Sequence, residues 1–296
     1  MTLKAGETIQ EGGPDQPFNL GEMLMGKVSD GHYVDLAGFR IPLPQWDPVQ
    51  IGALTIDLSP TKNVVYMMFA AFLCVLTFWL VGRAYRELTE EDAPSGFANA
   101  VESMVVFFRD RVVRANIGHG ADQFTPFILT LFFFILYMNL LGLVPLGVSS
   151  TASLSVTAAL AFLALLWIEW AGYKALGPAG YARTIFYAPQ GLHPVGRAFM
   201  LLIMTPVEAM GKVAKPFALA IRLFANMTAG KILILALVGL IFVFADLTVG
   251  RWGVAGGAVL MAAAITLLKV FISFLQAFIF AMLTAVFIGL IRHAHH

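Results

Sequence analysis

The sequence predicts an all-α integral membrane protein with five membrane elements and an amphipathic surface helix, the last two elements being long, tilted helices. Three observations predict it. The chain is 59% hydrophobic, with a mean hydropathy of +0.80. Charged residues make up 12% of it, where a soluble domain carries about 25%. The apolar residues are gathered into runs long enough to cross about 30 Å of hydrocarbon as helices.

The elements follow in order. Residues 1–62 form a polar tail with Gly and Pro throughout. Residues 1–60 lack the basic start and short apolar core of a signal peptide. The membrane domain is expected over 63–296. Its first run is 64–81. A charged segment, 82–122, follows and contains an amphipathic piece at 97–113, suited to lie along a membrane surface. Runs 127–146 and 154–170 are joined by the short loop GVSSTAS and read as a helical hairpin. Runs 198–244 and 254–291 come last, with GRWGVAGG expected as the turn between them.

Orientation follows from lysine and arginine placement. The tail has Lys4, Lys27, Arg40 and Lys62 against eight acids, so it is expected outside the cytoplasm. Arg83, Arg86, Arg109, Arg111 and Arg114 follow the first run. Lys174, Arg183 and Arg197 follow the hairpin, and Arg292 lies near the end of the sequence. Placing all three groups in the cytoplasm requires five crossings, with the N-terminus non-cytoplasmic and the C-terminus cytoplasmic.

The fourth run carries the functional signal. At about 1.5 Å per residue, 198–244 is more than twice the membrane thickness, and it holds Glu208, Lys212, Lys215, Arg222 and Lys231. Such a helix must break, with Pro216 a candidate kink and Gly230 and Gly239 candidate bends, or lie tilted with a polar face toward protein or water. Positions seven apart differ by about 20° on a helix. Glu208, Lys215 and Arg222 are so spaced, and Asn226 is four beyond Arg222, so the four share one stripe. Lys231 points to the opposite side. In the last run Lys269 and Gln276 are again seven apart, with Ser273 near the same face. A permanently charged guanidinium in an apolar run costs at least a few kcal/mol, and it is a poor choice for packing alone.

The strings AKPFALAIRLFANMTAGKI and FLQAFIFAMLTAVFI resemble the a subunit of F-type ATP synthases. So do FTPFILTLFFFILYMNLLGLVP and TASLSVTAAL. The resemblance runs from about His119 to Arg292, and DLSPTKNVVY upstream also fits. It implies a stator whose two long helices face a rotating c-ring. Ions enter through one aqueous half-channel, ride the ring carboxylates and leave by another. The family's essential arginine maps onto Arg222, its supporting glutamine onto Gln276, and an acid fourteen before the arginine onto Glu208. Asn226 belongs to the same ion-translocating set. The implied partners are the c-ring, the peripheral-stalk b subunits, the catalytic sector and membrane lipid. The implied setting is a bacterial inner membrane, and the subunit is not an enzyme by itself.

Two positions depart from the family. An acid or histidine often stands nine residues after the arginine, and a histidine or glutamate seven before the glutamine. Here they are Lys231 and Lys269. They join Glu169, Asp246 and Ser273 as possible channel-lining residues. Glu169, close in sequence to Trp167 and Trp170, reads equally as an interfacial residue. Glu208 is assigned to the cytoplasmic side.

Other signals carry less. Cys74 cannot form an internal disulfide and reads as a small apolar residue. His193 reads as a loop residue, and His293, His295 and His296 as a polar tail. No GxxxxGK[ST] loop occurs, and GEMLMGKV ends in Val28 where a hydroxyl is needed, so nucleotide chemistry is expected on a partner. No cofactor, metal or nucleic-acid partner is expected. The alternative, a secondary transporter with charged mid-membrane helices, predicts an inverted repeat. A scaffold with Arg222 merely paired predicts that Arg222→Leu leaves ion flux intact.

Overall fold

The computed structural model describes residues 31, 33–36, 39–51, 54–57, 59–86, 96–144, 147–186, 193–243 and 250–292. The tail holds two antiparallel hairpins, β1 (Tyr33–Leu36) with β2 (Phe39–Pro42) and β3 (Val49–Ile51) with β4 (Leu54–Ile56). The helices are α1 (Lys62–Arg86), α2 (Gly96–Phe107), α3 (Thr125–Leu141), α4 (Leu154–Ile185), α5 (Pro194–Val243) and α6 (Gly250–Arg292). Among the described residues, five helices are long and apolar enough to cross a membrane, as expected. The chain divides into two compact units, one of 30–229 with 267–296 and one of 1–29 with 230–266.

The larger unit contains the core. Beyond α2 the chain opens into a π-helical turn, Phe108–Arg114, before closing at Ala115–Ile117. That turn buries Phe108 against Phe132 of α3 (ring centroids 4.5 Å apart) and Phe278 of α6 (5.7 Å). Its other side carries Arg109, Asp110 and Arg114. Arg114 bonds Asp110 at 3.0 Å and Asp122 at 2.8 Å, and Arg109 holds the Asp110 carboxyl below the usual carboxylate range. The amphipathic piece thus has one aromatic face in the core and one charged face outward.

α6 packs through small residues. Ala277, Ala281 and Ala285 are fully buried at four-residue spacing, and Gly289 continues the row. A β-carbon at Gly289 would collide with the Asn116 carbonyl. Small residues at this spacing let helices approach closely where lipid supplies no hydrophobic drive. Leu219, Ala220, Leu223 and Met227 form the buried face of α5 within the same unit.

A buried hydrogen-bond chain ties the short loop after α3 to both neighbours. Ser149 pairs with Thr151 (3.0 Å), Thr151 donates to Asn139 Oδ1 (2.7 Å), and Asn139 donates to the Ser273 carbonyl (3.4 Å). Ser150 donates to the Asn63 carbonyl on α1 at 2.9 Å. Every hydroxyl of GVSSTAS from Ser149 to Thr151 therefore has a partner.

Two elements differ from expectation. GRWGVAGG is not a turn: α6 begins at Gly250 and includes it. Of the two alternatives left open for the fourth run, α5 runs on as one helix through Pro206 and Pro216 rather than breaking. In hydrocarbon the backbone must satisfy its own polar groups, so helix persists through residues that end it in water. α4 continues beyond 170 to Ile185, but bends at Gly177 (φ 66°, ψ 175°), a conformation open essentially to glycine alone. Pro178 then starts the next turn, where its missing N–H is harmless.

The smaller unit contains the C-terminal part of α5 and the N-terminal part of α6. Lys231 lies there, partly exposed on α5.

Candidate functional site

In the larger unit, Glu208, Lys215, Arg222 and Asn226 are all exposed on α5, as the seven-residue spacing requires of one stripe. Leu219 and Leu223, about 60° and 100° around the helix from Arg222, are buried at 2% and 0% exposure. The exposed stripe therefore runs along the edge of the packed face of α5. Phe217 and Ile221 are exposed beside it.

Asn226 Nδ2 donates to Gln276 Oε1 at 3.1 Å. This bond joins the two stripes that the sequence suggests. Gln276 is buried on α6, and its oxygen accepts the exposed amide, so the neighbourhood of Arg222 is tied to the core. Among the described residues, Arg222 makes no hydrogen bond or ion pair. The guanidinium stands on a braced helix with its donors unused.

Lys269, Ser273 and Gln276 are all buried along one face of α6. Ser273 Oγ has no hydrogen-bond partner, and Lys269 makes no ion pair among the described residues. An unpaired ammonium in an apolar helix requires water or a partner beyond the described residues.

A second polar group lies where α4, α5 and α6 meet. An open cleft of ≈ 110 Å³ is lined by Glu169, Thr184, Glu208, Lys212 and Lys215, with Phe287 and Ile291 among its apolar walls. Lys212 Nζ lies 3.4 Å from Glu169 Oε2 and 3.2 Å from Thr184 Oγ1. Tyr181 donates its hydroxyl to Glu169, and Lys212 sits 4.5 Å from the centroid of the Tyr181 ring. Lys215 lies 5.4 Å from the Phe287 ring centroid. Glu169 is thus an ion-paired residue of the cleft rather than a bare interfacial one.

The structure brings Asn226, Gln276, Ser273 and Lys269 into one unit with Arg222, and it brings Glu169 and Glu208 to one cleft. Asp246 and the histidines at 293, 295 and 296 lie outside the described residues. His193 is exposed just ahead of α5. Tyr181 and Thr184 are not legible as site residues in the sequence, and Lys212 stands there only as one of the charges of the fourth run. The Gly177–Pro178 pair was the available signal, since the bend there returns Tyr181 and Thr184 toward α4 and α5.

Five helices long and apolar enough to cross a membrane among the described residues, an amphipathic helix and a polar stripe on one long membrane helix define a multi-pass integral membrane protein. Residues 64–289 match the family model described as ATP synthase A chain. ATP synthase subunit a of Chloroherpeton thalassium is 43% identical over 271 residues, covering 91% of this chain and 76% of the relative. ATP synthase subunit a of Chlorobium phaeobacteroides is 40% identical over 271 residues, covering 91% and 75%. That of Anaeromyxobacter dehalogenans is 41% identical over 298 residues, covering 96% and 73%. The chain belongs to the ATP synthase A chain family, whose members are non-catalytic membrane subunits.

Proposed function

We propose that this chain carries protons through two offset half-channels at its interface with a rotating c-ring, coupled to ATP synthesis in the partner catalytic sector. The observation that carries the reading is Arg222. It is exposed and unpaired among the described residues, in a helix otherwise suited to lipid. Lipid cannot solvate it, so a carboxylate from another chain is the partner its chemistry demands.

The mechanism follows from charge. A ring carboxylate facing lipid must be neutral, because burying it charged is prohibitive. Beside Arg222 its ionised form is favoured, so it gives up its proton on arrival. The guanidinium keeps its own proton, and so separates the half-channels without relaying between them. Gln276 and Asn226 hold the helix carrying it. Glu208, with Glu169 nearby, serves the cytoplasmic path. Lys269, Ser273, Lys231 and Asp246 serve the other. Peripheral-stalk b subunits hold the chain against rotation. The membrane is a bacterial inner membrane, with the N-terminus outside the cytoplasm and the C-terminus within it.

The test is Arg222→Ala and Arg222→Gln in the assembled complex. Both are expected to abolish ATP-driven proton pumping in inverted vesicles while the chain still co-purifies with its partners. Normal pumping in either variant refutes the reading.

A further inference from the structure

Glu208 and Lys212 are four residues apart on α5, the glutamate N-terminal to the lysine, which is the favourable order for an ion pair on a helix. Both line the same cleft. Yet the lysine is paired elsewhere, with Glu169 of α4 at 3.4 Å and Thr184 at 3.2 Å. Glu208 makes no ion pair or hydrogen bond among the described residues. The Glu169–Lys212 pair is well enclosed, with side-chain exposures of 23% and 15%.

We infer that Glu169 is a positioning residue that draws Lys212 away from Glu208 and so keeps the Glu208 carboxylate free to exchange protons with the cleft. The inference rests on the proposed role of Glu208 in the proton path.

The surroundings favour this division of charge. α4 contributes Glu169, and its returned end contributes Tyr181 and Thr184. α5 contributes Glu208, Lys212 and Lys215. α6 contributes only apolar walls, including Phe287, Leu290 and Ile291. Tyr181 donates to Glu169 and lays its ring under the Lys212 ammonium. Lys212 is therefore held by a carboxylate, a hydroxyl and an aromatic face, all from α4. Lys215 is turned to the Phe287 ring. The bend at Gly177 places Tyr181 and Thr184 there, so the geometry of α4 decides which acid the lysine serves.

Removing the Glu169 charge releases Lys212 to the only other carboxylate among the residues lining the cleft. A carboxylate paired with a lysine is protonated only at lower pH, by about 1–3 units for a close pair. A Glu208 captured in this way takes up protons poorly near neutrality.

The experiment uses inverted vesicles carrying the assembled complex, with ATP-driven pumping measured from pH 5.5 to 8.5. Glu169→Gln is expected to slow pumping severalfold at neutral pH and to move its profile toward acid by about one unit. Adding Lys212→Gln to Glu169→Gln is expected to restore both rate and profile, because the lysine four residues from Glu208 is gone and Lys215 is turned to the Phe287 ring. A Glu169→Gln variant that pumps like the parent overturns the inference. So does a double variant as impaired as the single one, since Glu169 then acts in its own right. Should Glu169→Gln not assemble, Glu169→Asp shortens the side chain by one methylene and is expected to shift the profile the same way; an unshifted profile there overturns it equally. Glu208→Gln separates the two layers. Pumping unchanged in that variant removes Glu208 from the proton path and this inference with it. Pumping lost in that variant, with Glu169→Gln unaffected, refutes the inference alone.

Discussion

Asn139 offers a quantitative test of how the core supports the site. It is fully buried on α3, accepts from Thr151 at 2.7 Å and donates to the Ser273 carbonyl at 3.4 Å. Ser273 lies three residues before Gln276, so the bond reaches the helix turn that holds Asn226. Asn139→Leu keeps the volume close and removes both bonds. Hydrogen bonds between membrane helices are worth about 0.6 kcal/mol on average and about 1.7 at most. Two of them set the expected loss at roughly 1–3 kcal/mol. Thr151→Val removes the donor and leaves the Asn139 oxygen buried without it. The double variant leaves neither group stranded, so it should be more stable than the summed singles predict, by about 0.6–1.7 kcal/mol. Unfolding in mixed micelles by added SDS, followed by tryptophan fluorescence, reads all four corners of the cycle. Additive effects refute the coupling, and with it the claim that this chain of hydroxyls and amides joins α3 to the site.

Three further predictions use other parts of the structure. Gly289→Ala is expected to destabilise the chain by about 1–3 kcal/mol in the same micelle assay, because the added methyl meets the Asn116 carbonyl and backbone cannot yield as a side-chain end can. Gly82→Ala, with nothing within 4 Å, serves as the control, and equal stability of both variants counts against the packing argument. Lys231→Met and Lys269→Met, made separately, are each expected to alter the pH dependence of ATP-driven pumping; two profiles matching the parent remove the lysines from the channel. In a Cys74→Ser background, single cysteines placed in the tail and after Arg292 are expected to react with impermeant reagent from opposite sides of the membrane. Labelling of both from one side excludes five crossings.

The membrane made much of this protein legible without a structure. Lipid forces apolar runs to be helices, and it makes each intramembrane charge conspicuous. For that reason α1, α3 and the length of α5 follow from hydropathy, and seven-residue spacing alone places Glu208, Lys215 and Arg222 on one exposed face. Periodicity gives an angle around a helix but not the neighbour at that angle. That Asn226 meets Gln276, that Asn139 reaches the Ser273 carbonyl, and that Lys212 chooses Glu169 over Glu208 are products of packing between helices distant in sequence. Local rules misjudged GRWGVAGG, because glycine ends helices by an exchange with water that hydrocarbon does not offer. At Gly177 the backbone does turn, and only the tertiary structure shows what the turn achieves. It returns Tyr181 to Glu169, twelve residues earlier in the chain, and so fixes the charge balance of the cleft.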